Sequence, residues 1–233
     1  MYQDSILHNK LKLLGKLTAG LLHEIRNPLS AIKLNLDLVK YYEDEIPGEV
    51  KESVDDCVKA TERIEDLIEN LLSYARKSNN ERESLSLNDV TLKAIHLVNV
   101  KASKKSIYLS SNLQQNLPKL LLNENKLLQV LLNMITNAID ACNNKGKVNV
   151  RTYYTADYGK SFVVWEVTDD GIGISEEDQK KIFEDFYTSK PDGTGLGLTV
   201  CQSLVKEMNA SLLFESKLGE GSKFSIKFEE VKS

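Results

Sequence analysis

The chain has 233 residues, enough for a buried core and for two compact units. A hydrophobic share of 41% and a charged share of 27% exclude a disordered or fibrous chain, and a net charge of −4 argues against a nucleic-acid binder, which needs a basic surplus to neutralise phosphates. The three cysteines, Cys57, Cys142 and Cys201, lie far apart without CxxC spacing, the pattern of free thiols in a reducing, cytoplasmic compartment. No apolar run is long enough to cross a bilayer, and MYQDSILHNK lacks the apolar core of a signal peptide, so this stretch is expected to make no membrane contact.

In chain order, Leu14, Leu17, Leu21, Ile25, Leu29, Ile32, Leu36 and Val39 recur at threes and fours and predict a long amphipathic helix. It should stop near Pro47 and Gly48, where the chain can reverse. Val50, Val54, Cys57, Thr61, Ile64, Ile68, Leu71 and Ala75 then mark a second helix, antiparallel to the first. One hairpin is too shallow to bury both stripes, whereas two side by side close a four-helix bundle, which favours a homodimer; alternatively the hairpin packs on the remainder of its own chain.

The polar stretch from Lys77 to Glu83 reads as a linker dividing residues 1–80 from 81–233. Beyond it the pattern predicts a helix from Asn88 to Lys101, a strand from Ile107 to Ser110 and a helix from Glu124 to Cys142. Strands follow at Lys147 to Thr155 and Ser161 to Thr168, then a helix from Leu196 to Met208 and strands at Ser211 to Ser216 and Lys223 to Phe228. The fold class is α+β: a helical hairpin followed by an α/β layer with helices on one face of a mixed sheet.

Four groups of residues carry chemistry. His23 and Asn27 share a face of the first helix, with Glu24 beside the histidine. An imidazole is suited to group transfer near neutral pH, and an adjacent carboxylate can hold its other proton. Pro28 interrupts this strongly periodic helix at a cost of about 3 kcal/mol, a broken rule that a kink shaping a site would explain. HExxH zinc chemistry is excluded because Asn27 stands where its second histidine would be. Further along, Asn133 and Asn137 lie one turn apart beside Asp140 on an otherwise apolar helix. They are either exposed amides or oxygen ligands of hydrated Mg²⁺ with its phosphates. Asp169, Asp170, Gly171, Ile172 and Gly173 follow a strand: either a plain turn, or a carboxylate accepting from an exocyclic amine with glycines that let the backbone approach a flat ring. Lys190 precedes Gly193, Thr194, Gly195, Leu196 and Gly197 at a helix start, either a mobile glycine loop or a phosphate site. It is neither a Walker A loop nor the GxGxxG of a dinucleotide fold.

Taken in order, HEIRNP, NMITNA, DDGIG, FEDFYTSK and GTGLGL resemble the H, N, G1, F and G2 boxes of the two-component sensor histidine kinases, over almost the whole chain. The FYTSK block most resembles the nitrogen-regulation type. The resemblance implies a dimerising phosphotransfer hairpin and a Bergerat-type two-layer ATP-binding sandwich. It makes His23 the phosphoacceptor, Glu24 its general base, Asn137 the Mg²⁺ ligand and Asn133 a helper, and it places Asp169 on the adenine amino group of ATP. Gly171 and Gly173 would then line the nucleotide pocket, and Lys190 and Gly193 to Gly197 a short phosphate lid. Phe183 and Phe186 fall in the F box, and GEGSKF resembles the glycine turn before the family's last strand. A response regulator receiver domain is the implied phosphoryl acceptor, and Asn27 suggests a phosphatase activity toward it. The family also leaves room for a membrane sensor segment beyond this sequence. Two rivals stand beside it: an ATPase of the chaperone or topoisomerase kind, disfavoured by the histidine helix upstream, and a silent dimeric scaffold.

Overall fold

The computed structural model describes residues 25, 28–39, 41, 47, 48, 50–58, 60, 61, 64, 81–157, 159–188 and 195–230. The chain divides into two compact units, one of residues 1–79 with 186–196 and one of residues 80–185 with 197–233. In the first, residues 28–39 and 50–58 are helical, and so is Ile25, so helix is present on both sides of Pro28. Val50 and Lys51 donate their amides to the Pro47 carbonyl at 2.9 and 3.1 Å, so the reversal expected at Pro47 and Gly48 is also the start of the second helix. Leu29 and Val58 are buried, yet Ile25, Ile32, Val50 and Ile64 of the two apolar stripes remain 45%, 51%, 44% and 42% exposed.

The second unit runs β1 (Glu83–Leu85), α1 (Leu87–Lys104), β2 (Tyr108–Leu113), β3 (Leu120–Leu122), α2 (Glu124–Ala141), β4 (Lys147–Asp157), β5 (Lys160–Asp169), α3 (Glu176–Gln179), α4 (Gly197–Glu207), β6 (Ala210–Lys217) and β7 (Gly221–Glu229). Five strands form a mixed sheet in the order β2-β4-β5-β7-β6, with β2 parallel to β4 and the other neighbours antiparallel; β1 and β3 pair separately. Helices α1, α2 and α4 lie side by side on one face. Each of the two long helices begins where a side chain can satisfy a free amide: Ser86 accepts from Asp89 N at 3.3 Å and Asn123 from Lys126 N at 3.0 Å.

The core lies between these layers. Val148, Val150 and Thr152 of β4 stand in register with Asp169, Val167 and Trp165 of β5, and Ile226 pairs with Trp165 from β7. Above them α2 contributes Leu127, Val130, Leu131, Met134, Ile135 and Ile139, all fully buried, each stabilising by about 1.5–3 kcal/mol. On the opposite face Tyr153 donates its hydroxyl to Glu166 at 3.2 Å, Lys223 pairs with Glu215 at 2.7 Å, and the Arg151 guanidinium sits 5.4 Å from the Tyr153 ring. These long side chains cover the middle strand, which is why β5 is buried on both faces from Val163 to Val167.

Three short elements escape the sequence pattern, namely β1, β3 and α3, and the strand expected at Ile107 to Ser110 extends to Leu113. The expected linker is also shorter at its C-terminal end. Asn123 donates to the Glu81 carbonyl at 3.1 Å, Arg82 donates to the Glu207 carbonyl at 3.3 Å, and Glu83 belongs to β1, so residues 81–83 are fixed to the second unit.

Candidate functional site

The site of the second unit is built where the C-terminal ends of α2 and β5 meet. Asn133 and Asn137 lie one turn apart on α2, both half-buried, while Asp140 turns to α1, where it holds Lys101 at 2.9 Å and Lys105 at 2.8 Å. The Asn133 side chain hydrogen-bonds the Cys201 thiol of α4, and that thiol also lies 3.9 Å from the Val130 carbonyl. Burial pushes the Cys201 thiol up to about 12, so at neutral pH it is a protonated packing group between α2 and α4.

Asp169 ends β5 with only 6% of its surface exposed, and its Oδ1 accepts from Gly171 N at 2.9 Å. From there the chain is wedged between two backbones. Ile172 donates its amide to the Ala141 carbonyl at the end of α2, at 3.0 Å, and accepts from Gly219 N of the β6–β7 turn at 2.7 Å. A Cβ on Gly171 would lie 2.5 Å from the Ala141 carbonyl oxygen, and one on Gly173, at φ +66, would lie 2.0 Å from that of Lys217. Gly221, at φ +92, comes just as close to the Asp169 carbonyl. These glycines are therefore required by contact of protein with protein, whatever ligand they face. Ser216 stitches the same region, accepting from Ile174 N and donating to the Gly221 carbonyl, both at 2.9 Å. Gln179 donates to the carbonyls of Ile174 and Ser216, also at 2.9 Å.

Asp170 points away from this wedge. Its Oδ1 accepts from Lys147 N at 2.6 Å and lies 3.6 Å from the Cys142 thiol. Burial, followed by the neighbouring charges of Asp169 and Asp170, pushes that thiol up to about 12.

In the other unit, Gly195 at φ +68 lies against the backbone of Phe186, itself at φ +65, and a Cβ there would approach the Phe186 carbonyl carbon to 2.2 Å. Leu196 is buried and Gly197 opens α4. Phe183, in the second unit, packs edge-on against Phe214 at 5.6 Å, and Phe214 stacks on Phe224 at 5.7 Å. His23, Glu24, Asn27, Lys190, Gly193 and Thr194 lie outside the described residues.

Residues 13–80 match the profile of the His Kinase A (phospho-acceptor) domain, and residues 122–232 that of the histidine kinase-, DNA gyrase B-, and HSP90-like ATPase. The chain belongs to the sensor histidine kinases. This histidine kinase is 34% identical over 219 residues to the sensor histidine kinase ZraS of Salmonella typhimurium, covering 93% of the chain but 46% of ZraS. It therefore spans about half the length of the curated relatives it matches. The catalytic domain of histidine kinase ThkA superposes with a TM-score of 0.55 at 28% identity, over 63% of this chain and 94% of that one. ThkA in complex with the response regulator TrrA shares the fold at a TM-score of 0.66 and 24% identity, over 99% and 66% of the two chains. The α+β class expected from the sequence, a helical hairpin region followed by a two-layer sandwich, is the fold of this family.

Of the residues singled out in the sequence, the structure ties Asp169, Gly171 and Gly173 together around the ends of β5 and α2, and it carries Asn133 and Asn137 one turn apart on that same helix. Sequence reasoning missed Ser216, Gln179 and the Cys142 thiol, because their roles arise from contacts between elements far apart in the chain. Gly221 was visible only as a turn glycine, and nothing in its neighbours announced Asp169 as its contact.

Proposed function

We propose that this chain is the catalytic core of a protein histidine kinase, which transfers the γ-phosphoryl group of ATP to His23 and then to an aspartate of a response regulator receiver domain. The observation that carries this reading is Asp169, a buried carboxylate locked at the end of β5 in the same frame as the two asparagines of α2. Such a carboxylate accepts from the exocyclic amine of adenine, and Gly171 and Gly173 form the loop beside it.

Asn137, helped by Asn133, would hold Mg²⁺. Among the described residues no three His, Cys, Asp or Glu side chains cluster to bind a metal, which fits an ion held largely by substrate phosphates, waters and an amide oxygen. When bound, the ion neutralises triphosphate charge. The protein's own work is positioning: Lys190 and the amides of Gly193, Thr194, Gly195, Leu196 and Gly197 would receive the phosphates. The imidazole of His23 attacks the γ-phosphorus, a nitrogen–phosphorus bond forms as the bond to ADP breaks, and Glu24 takes the imidazole's second proton. Asn27, one turn on, is suited to hold a water against the phosphorylated receiver, a phosphatase step.

Residues 1–80 serve as the dimerisation and phosphotransfer hairpin and 81–233 as the ATP-binding domain. The exposed Ile25, Ile32, Val50 and Ile64 support a homodimer, because a second hairpin would cover them. Leu34, Leu38 and Tyr41 are exposed on the other side of the first helix and offer an apolar surface to the receiver domain. No helix of the described residues is long and apolar enough to cross a membrane. The free thiols and the proposed receiver-domain partner support a cytoplasmic setting for this segment.

Incubation with γ-labelled ATP and Mg²⁺ tests the reading. The wild-type chain is expected to acquire base-stable, acid-labile label, and His23→Gln none; equal labelling of the two would overturn the assignment.

A further inference from the structure

We propose that Asp170, the second acid of the DDGIG stretch, is a positioning residue that sets the adenine specificity of the site by clasping the end of β5 to the chain that follows α2. This rests on the reading of Asp169 as the adenine acceptor. Asp170 is itself exposed and does not share the buried environment of Asp169. Its bonds run the other way: Oδ1 accepts from Lys147 N at 2.6 Å, while its own amide donates to the Lys147 carbonyl at 3.2 Å. The two hydrogen bonds close a ring between the first residue of β4 and the residue just after β5.

The cradle around Oδ1 is fitted to it. A Cβ on Gly146 would fall 3.0 Å from that oxygen and 2.7 Å from the Cys142 Cβ, so only glycine allows the α2–β4 turn to approach, and the Cys142 thiol lies 3.6 Å from the same oxygen. One residue on, Gly171 meets Ala141 and Ile172 bonds its carbonyl. Residues 170–172 thus hold both the last turn of α2 and the start of β4. The carboxylate of Asp169 has no freedom to slide relative to α2 while this clasp is closed. None of these contacts involves the start of α4, so opening the clasp should loosen the base end of the nucleotide and not the phosphate end.

Among the described residues only one side-chain oxygen of Asp170, Oδ1, is used, so an amide can replace the carboxylate. Equilibrium binding to the full chain gives the test, with ATP, GTP and tripolyphosphate as probes, each with Mg²⁺. Asp170→Ala is expected to weaken ATP roughly tenfold and to narrow the preference for ATP over GTP, with tripolyphosphate changed by less than about twofold, whereas Asp170→Asn restores ATP binding to within about threefold of wild type. Unchanged ATP affinity and selectivity in Asp170→Ala would overturn the proposal. So would an equal loss for ATP and tripolyphosphate, the signature of general loosening, or an Asp170→Asn variant as weak as Asp170→Ala. Asp169→Ala is the separate control: if it binds ATP normally, the adenine reading itself fails.

Discussion

Gly219 and Gly221 lie two residues apart in the β6–β7 turn, both left-handed, at φ +81 and +92. They differ in their surroundings: a Cβ on Gly219 would meet nothing within 4 Å, whereas one on Gly221 would stand 2.0 Å from the Asp169 carbonyl oxygen. Alanine at either position incurs the left-handed penalty of about 1 kcal/mol. At Gly221 the backbone must also retreat by about 1.4 Å to reach an ordinary contact distance, adding about 2–3 kcal/mol of overpacking. Expected losses are therefore about 1 kcal/mol for Gly219→Ala and about 3–4 kcal/mol for Gly221→Ala. Urea unfolding followed by tryptophan fluorescence measures both, because Trp165 is the sole tryptophan and is fully buried in the affected unit. Since the strand end that must move carries Asp169, ATP affinity should fall by at least roughly tenfold in Gly221→Ala and hold in Gly219→Ala. Equal losses in the two variants would refute the steric argument, as would Gly221→Ala with wild-type stability.

Burial raises both Cys142 and Cys201 to about 12, so in the folded state these thiols stay protonated where an unfolded chain would ionise them. Their contribution to stability is complete below the ordinary thiol pKa and is lost as pH rises from there toward 12, at up to about 1.4 kcal/mol per pH unit per thiol. The urea midpoint between pH 8 and pH 10 should accordingly fall more steeply for wild type than for a Cys142→Ala/Cys201→Ala double variant. Iodoacetamide at pH 8 should modify Cys142 and Cys201 only after denaturation, as mass spectrometry would read out. Ile32→Glu places a charge on an exposed apolar stripe that a second hairpin would cover, and sedimentation velocity should show a dimer for the wild-type chain and a monomer for the variant.

The long elements were legible because their periods are strong. The α2 stripe from Leu127 to Ile139 and the alternation of Val148, Val150 and Thr152 each bury one face, and the structure places them within a few residues of expectation. The short β1 and β3 strands were not legible, since three residues carry no period and each is defined only by the other. The site divides along the same line. Asn133, Asn137 and Asp169 stood out as polar residues at the edge of apolar runs. Ser216 reads as an ordinary strand serine, and its four partners across three segments exist only after β6, β7 and the loop after β5 have met. Glu81 to Glu83 misled because their polarity resembled a linker, while their anchoring comes from Asn123 and Glu207, far along the chain.

The pairing of β2 with β4, the one parallel pairing among the described strands, cannot be made by a hairpin. The chain must first lay down β3 and the whole of α2 before β4 can run alongside β2, and β5, β7 and β6 then extend the sheet outward from that seam. The helix that bears the two asparagines is thus the crossover itself. Assembly of the nucleotide frame and closure of the sheet are one cooperative event with a long loop-closure cost, so partly folded chains hold no half-formed pocket. Nucleotide added during refolding should leave the early phases unchanged and act only on the state in which β2 has found its neighbour.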